Sequence, residues 1–347
     1  MSSNHLAYRL QAQTGHEQLR QLEEPKPNID KHEVLVKIRA VALNFRDVVV
    51  SNGNYPFPVK DKVVPCSDAA GDVVEIGSAV EGFRTGDRVI GNFDPTNLYG
   101  PQLDWNHGLG GPVDGVLRQY VALPASAVAK IPEDSGLTYP EMAALVCTGV
   151  TAWNAFYGAI PLKPGQTVLF QGTGGVSITG LMLAKSAGAV TIITSSSEDK
   201  LKLVKEKYSP DHVINYKTTP DWASEARKIT AGHGVDYIFE NGGSGTIKQS
   251  IDCIAMGGLI SVIGFLSSAK QEDMPDVAAL ALSKGCIIRG IQVGSKQLLD
   301  ELVRFVVQKK LKPPVEKVFG FGPDQVQAAY DYLASGGHIG KVCISVE

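Results

Sequence analysis

The chain has 347 residues, 44% of them apolar and 20% charged, which is ample for two buried cores in an ordinary globular protein. With 33 basic and 36 acidic side chains the net charge is −3, which excludes the bulk positive field of a nucleic-acid binder. No stretch reaches the roughly 18 apolar residues of a membrane span. The first residues, MSSNHLAYRLQAQTGHEQ, lack an apolar signal core. The five cysteines are scattered with no C-x-x-C spacing, so reduced thiols and a cytoplasmic location are expected.

Residues 33–42, EVLVKIRAVA, alternate apolar and polar side chains and predict a half-buried strand. Residues 63–76, 86–93 and 117–124 predict further short strands, punctuated by Gly and Pro. Strands so closely spaced predict a barrel-like β region. Residues 94–116, rich in Gly, Pro, Asn and Asp, read as a loop. Thr138 is placed to cap a helix with Pro140 and Glu141 in its first turn, and a second helix covers 149–158.

From there strands and helices alternate. Strands are expected at 167–172, 190–195, 212–216, 236–241 and 258–265. Helices are expected at 176–187, 198–207, 220–231, 245–255 and 296–309. Repeated βαβ units require a parallel sheet with helices on both faces. The last strand, 341–346, is expected to return to the β-rich region and make the first domain discontinuous.

The turn after the first of these strands reads Gly172-Thr173-Gly174-Gly175-Val176-Ser177. It approximates G-x-G-x-x-G, with Ser177 in the third glycine's place. Preceded by a strand and followed by a helix and a second strand, it predicts a Rossmann dinucleotide site. Gly172 allows the sharp turn, and Gly174 lets the backbone approach a pyrophosphate. The helix starting at Gly175 points free N–H groups at the phosphates. The second strand ends Ser195-Ser196-Ser197 with no acid before Glu198, and Lys200 follows. Hydroxyls and a cation suit a 2′-phosphate, where an NAD site carries a carboxylate. NADPH is therefore the expected cofactor, with Tyr216 adding a hydroxyl and Ser197 doubling as a helix cap. Asn241-Gly242-Gly243 and Gly264-Phe265 close two further strands at the carboxyl edge, where ligands bind in such sheets.

The chain resembles the medium-chain dehydrogenase/reductase superfamily over essentially its whole length. The landmarks are VALNFRDVVVSNGNYP (41–56), PCSDAAGDVVEIG (65–77), GDRV (86–89), DGVLRQYV (114–121), CTGVTAW (147–153), VLFQGTGGVS (168–177), GVDYIFENGG (234–243) and GGHIGKVCI (336–344). The fold class is thus α/β: a Rossmann doubly wound parallel sheet plus a discontinuous GroES-like β-barrel domain. The expected boundaries are 1–126 with 292–347 for the GroES-like substrate domain and 127–291 for the Rossmann domain.

The resemblance also implies a metal test. Zinc-dependent members use a Cys, a His and a second Cys, and the matching positions here are Asn44, Ser67 and Cys147. A catalytic zinc needs three protein ligands, so no metal is expected, and the chain is similar to the zinc-free quinone oxidoreductase branch. Without zinc, hydrogen-bond donors must stabilise the charge that hydride transfer drives onto oxygen. The family pattern implies Asn44 and Tyr55 as the catalytic donors. It implies Thr151 near the nicotinamide ribose, Lys341 in a cofactor-proximal loop, Arg46 paired with a carboxylate, and Asp47 as structural. Cys66, Cys147 and Asp68 stand open as an irregular metal set.

The expected substrate is a small quinone or α,β-unsaturated carbonyl. A zinc-free carbonyl reductase or alcohol dehydrogenase acting on a ketone or aldehyde, a tailoring enoyl reductase of secondary metabolism, and a non-catalytic NADPH-binding protein remain alternatives. A homodimer is expected through the sheet edge near the apolar run GLISVIGFL, 258–266. Neither nucleic acid nor membrane is an expected partner.

Overall fold

The computed structural model describes residues 4–346. The chain divides into two compact units, 1–150 with 293–347, and 151–292. The first boundary falls later than the expected 126/127. Val128–Lys130 pairs with Arg88–Gly91, and the Tyr139 hydroxyl donates to Asp72 at 2.5 Å, so this stretch stays with the first unit.

In the first unit Asn4–Leu10 and Leu19–Pro25 form an antiparallel hairpin. The main sheet runs Val315–Phe319, Lys341–Ser345, Glu33–Ala42, Asp68–Ile76, Arg88–Gly91, Val128–Lys130, with Tyr120–Pro124 also pairing Glu33–Ala42. The C-terminal strand does return to the β-rich region, and Cys343 lies opposite Ala42. Alternation along Glu33–Ala42 sends Val34, Val36 and Ile38 into a core shared with Tyr8, Val121 and Tyr330. The Thr138 cap forms as expected: its hydroxyl accepts from Glu141 N at 3.4 Å, and its own N–H donates to Glu141 Oε2 at 2.7 Å. A π-helical turn, Leu145–Gly149, follows and carries Cys147.

The second unit is a six-stranded parallel sheet in the order His212–Asn215, Val190–Ser195, Thr167–Gln171, Val235–Glu240, Ile254–Val262, Ile287–Gly290. The order reverses beside Thr167–Gln171, the switch point where ligands bind in such sheets. Burial on both faces explains the apolar runs of the central strands, and Leu169, Ile192, Ile238 and Ile260 share one core. One expectation is corrected here. Ile254–Val262 is not an edge strand, because Ile287–Gly290 pairs along its outer side. That four-residue strand forms the edge, and Ile287 is exposed on it. Among the described residues no helix is long and apolar enough to cross a membrane.

Candidate functional site

In the second unit, strand Thr167–Gln171 ends at Gly172, whose φ of +76° is left-handed. A methyl group built on Gly172 or Gly174 would meet nothing within 4 Å, so the backbone is open there. Gly174 caps the helix Gly175–Ser186, whose first turn holds no acid. Its free N–H groups and positive dipole end suit an anion. Thr173 is buried, while Gly175 and Val176 are half-buried. Ser177 is buried and donates to the Gln171 carbonyl at 2.8 Å, tying turn to strand.

Strand Val190–Ser195 comes beside this turn: the Gly172 N–H donates to Thr194 Oγ1 at 3.3 Å. Ser195 is buried, and Ser196 and Ser197 are half-buried. The Ser197 hydroxyl accepts from Lys200 N at 3.3 Å, the cap that sequence reasoning allowed. The first acid, Glu198, accepts from Asn215 Nδ2 at 3.1 Å. Tyr216 is exposed, and its N–H donates to the Ser195 carbonyl at 3.1 Å. Thr151 is buried near the start of helix Val150–Tyr157.

Asn241 spends its amide within the protein, donating to the Gln171 carbonyl and to Ser177 Oγ, each at 2.9 Å. A methyl on Gly264 would lie 2.6 Å from the Asn241 carbonyl, so these two turns meet closely, while Phe265 is exposed. Behind them sits Glu240, which sequence reasoning missed. It is fully buried and accepts from the N–H groups of Gly242 and Gly243 at 3.0 and 2.8 Å. It also accepts from Gln171 Nε2 at 2.8 Å and from the hydroxyls of Thr246 and Ser250. Its signal in the sequence is a carboxylate at the buried end of an apolar run, YIFE.

In the first unit, Asn44 starts the helix Phe45–Ser51, and its N–H donates to Asp47 Oδ2 at 2.8 Å. Asn44 Oδ1 accepts from Lys341 Nζ at 2.7 Å; the same ammonium donates to the Leu43 carbonyl at 2.7 Å. It lies 3.5 Å from Asp68 Oδ2. Asp68 accepts from Ser67 Oγ at 2.6 Å and from Cys147 N at 3.1 Å. These groups, brought from separate parts of the chain, form one buried polar cluster. Lys341, expected beside the cofactor, has its donors committed inside it.

Tyr55 is half-buried, and its oxygen accepts from Arg46 Nε at 3.1 Å. The Arg46 guanidinium lies over the Tyr55 and Phe93 rings at 5.0 and 4.9 Å and donates to the Leu109 carbonyl at 2.8 Å. The expected carboxylate partner is not found: among the described residues Arg46 forms no ion pair. It reaches Tyr55 instead, while the neighbouring Asp47 accepts from the Asn44 N–H at the helix start. Since Arg46 can only donate, the Tyr55 proton is left for another acceptor.

Residues 30–133 match the alcohol dehydrogenase GroES-like domain family, and residues 175–308 match the zinc-binding dehydrogenase family. A zinc-type alcohol dehydrogenase-like protein of Schizosaccharomyces pombe, C1773.06c, is 42% identical over 96% of this chain and 97% of its own. The chain belongs to the medium-chain dehydrogenase/reductase superfamily. It is accordingly an NAD(P)H-dependent oxidoreductase. The quinone oxidoreductase-like protein 2 homolog of Nematostella vectensis is 29% identical over 92% of this chain and 83% of its own. A solved structure of an NAD-dependent alcohol dehydrogenase is 31% identical, with a TM-score of 0.87, 99% of this chain and 100% of its own being covered.

Zinc-dependent members of the medium-chain dehydrogenase/reductase superfamily need deprotonated ligands in the first unit. Here an ammonium donates to Asn44 and Ser67 spends its proton on Asp68, so of the three matching positions only Cys147 offers a zinc ligand. Cys66 has a left-handed φ of +68° and its sulfur faces the Tyr330 hydroxyl at 3.3 Å. Among the described residues no three His, Cys, Asp or Glu side chains gather as a metal would need. This donor set does not fit a catalytic zinc.

Proposed function

We propose that the chain is an NADPH-dependent, zinc-independent reductase of a quinone or α,β-unsaturated carbonyl. The observation that carries the reading is the Lys341 ammonium bonded to Asn44 where relatives place a metal ligand. Bound NADPH supplies the hydride. The protein's part is to hold the dinucleotide on the open turn at Gly172–Val176 and to meet the oxygen that gains charge with the Asn44 amide and the Tyr55 hydroxyl. Ser195, Ser196, Ser197, Lys200 and Tyr216 surround the 2′-phosphate, Asn241, Gly264, Phe265 and Thr151 flank the rest of the cofactor, and Lys341 acts through Asn44. A ketone or aldehyde is the second reading; the alcohol dehydrogenase-like relative at 42% identity favours it.

An acceptor panel followed by NADPH absorbance decides: consumption with a quinone or enone and none with an aldehyde is the expected result. Consumption with aldehyde alone would establish the second reading. Elemental analysis is expected to find no stoichiometric zinc, and chelators to leave the rate unchanged; one zinc per chain would refute this.

NADPH is expected to bind at least about ten-fold tighter than NADH, roughly 1.4 kcal/mol. The second strand ends in Ser195, Ser196 and Ser197 with no acid among them, and the first carboxylate after it, Glu198, already accepts from Asn215 Nδ2 at 3.1 Å. Ser196→Asp should shift the preference toward NADH. Equal affinities in fluorescence titration of the wild type would sink the assignment.

The protein works in this reading as a cytoplasmic homodimer, joined through the exposed edge strand Ile287–Gly290, since an open edge with an exposed Ile287 invites pairing. Light scattering at micromolar concentration should give twice the 37.0 kDa chain mass; the monomer mass would contradict it.

A further inference from the structure

Asn44 is 7% exposed, and its Nδ2 is buried with no hydrogen-bond partner. Buried donors are nearly always paired, so one that is not needs a reason. The opposite end of the amide supplies one. An ammonium only donates, so the amide end facing Lys341 must be the oxygen, and the N–H₂ must face away. The orientation of Asn44 is therefore fixed by chemistry as well as by geometry.

Lys341 is itself rigidly delivered. Gly340 has a φ of +81°, and a methyl on it would lie 2.3 Å from the Pro314 carbonyl. The Lys341 N–H donates to that same carbonyl at 2.7 Å. The strand beginning at Lys341 runs beside the end of Glu33–Ala42, and Leu43 N donates to Val342 O at 2.9 Å. Asp68, fixed by Ser67 and the Cys147 N–H, supplies the counter-charge. Every partner of the ammonium is thus held before any substrate arrives.

We propose that Lys341 is a positioning residue: its buried ammonium holds the Asn44 amide with Nδ2 presented as a preorganised donor to the acceptor oxygen, and adds positive charge behind it. This rests on the reading of Asn44 as an oxyanion donor. A donor fixed in advance needs no reorganisation during the reaction, which is what makes such groups effective. The ammonium polarises the amide through its oxygen and strengthens the N–H that faces the other way.

The test uses Lys341→Met, with Lys341→Met/Asp68→Asn as a second variant that leaves no uncompensated buried carboxylate. The first readout is independent of turnover. In protein labelled with ¹⁵N-asparagine, the Asn44 side-chain amide signals are assigned by their loss in Asn44→Ala. They are expected to shift and broaden when Lys341 is replaced, and unchanged signals overturn the proposal. The second readout is single-turnover NADPH oxidation with an enone. Lys341→Met is expected to slow it about ten-fold or more with NADPH affinity retained. The loss should match that of Asn44→Ala, and the double variant Lys341→Met/Asn44→Ala should be no slower than either. Losses that multiply in the double variant, or a wild-type rate in Lys341→Met beside a slow Asn44→Ala, overturn the positioning role and leave the proposed function standing. A wild-type rate in Asn44→Ala removes the donor and this proposal with it. Wild-type protein inert toward every acceptor would fail the functional reading, and the amide signals would still decide the role of Lys341.

Discussion

Tyr55→Phe is expected to slow hydride transfer about 10²–10³-fold, roughly 3–4 kcal/mol, if its hydroxyl donates to the developing oxyanion. The ring should stay where it is. It packs edge-on against Phe57 at 5.3 Å, Phe57 stacks on Trp105 at 3.7 Å, and Arg46 covers it, none of which needs the hydroxyl. Cofactor affinity should therefore barely change, and the loss should fall on the rate. Arg46 donates into the phenol oxygen, which aligns the hydroxyl and directs its proton elsewhere. Asn44→Ala should lose less, because an amide is the weaker proton donor. Single-turnover kinetics with ordinary and deuterated NADPH measure the step itself. An unaltered rate in Tyr55→Phe would assign the residue to holding Arg46 and leave the oxyanion to Asn44.

The parallel sheet was legible because its signals are local: buried strands, glycine turns and amphipathic helices at short spacing. The expected strand 190–195 and the helix start at 198 agree with Val190–Ser195 and Glu198–Tyr208. The edge strand Ile287–Gly290 was not legible, since four residues beside a glycine carry too little periodicity to separate strand from loop. The helix Phe45–Ser51 hides behind three consecutive valines, which favour strand locally and are overruled by the Asp47 bond to the helix start. The helix Pro323–Ala334 has the right spacing at Val326, Ala329, Tyr330 and Leu333 and a proline at its start, signals that went unread. At the site, the glycine turn could be read from six adjacent residues. The Lys341–Asn44 bond joins positions 297 residues apart, and no local pattern marks it. Glu240 and Arg46 fall between these cases: their charges beside apolar runs stand in the sequence, and their partners do not.

The second large effect concerns pH and Asp47. This carboxylate is fully enclosed; Oδ2 accepts from Asn44 N, while Oδ1 has no partner. Burial pushes its pKa up from the ordinary 3.8 to about 6, Asp68 adds to the rise, and Arg46, the Asn44 N–H and Lys341 oppose it. A raised carboxyl pKa means that the folded state holds the proton more tightly than the unfolded chain does. The contribution to stability is whole below about pH 4 and is lost as pH rises through about 6, a change of ~3 kcal/mol for a shift of this size. Asp47→Asn keeps an oxygen for the Asn44 N–H and cannot ionise. It should be nearly as stable as the wild type near pH 4 and more stable by up to ~3 kcal/mol at pH 7.5. Urea unfolding of both proteins across that range measures the difference, in which every other titrating group cancels. A difference that does not grow with pH would mean that Asp47 ionises as easily in the fold as outside it. The Arg46 guanidinium and the Asn44 N–H, the groups that most oppose the rise, would then outweigh the cost of burial.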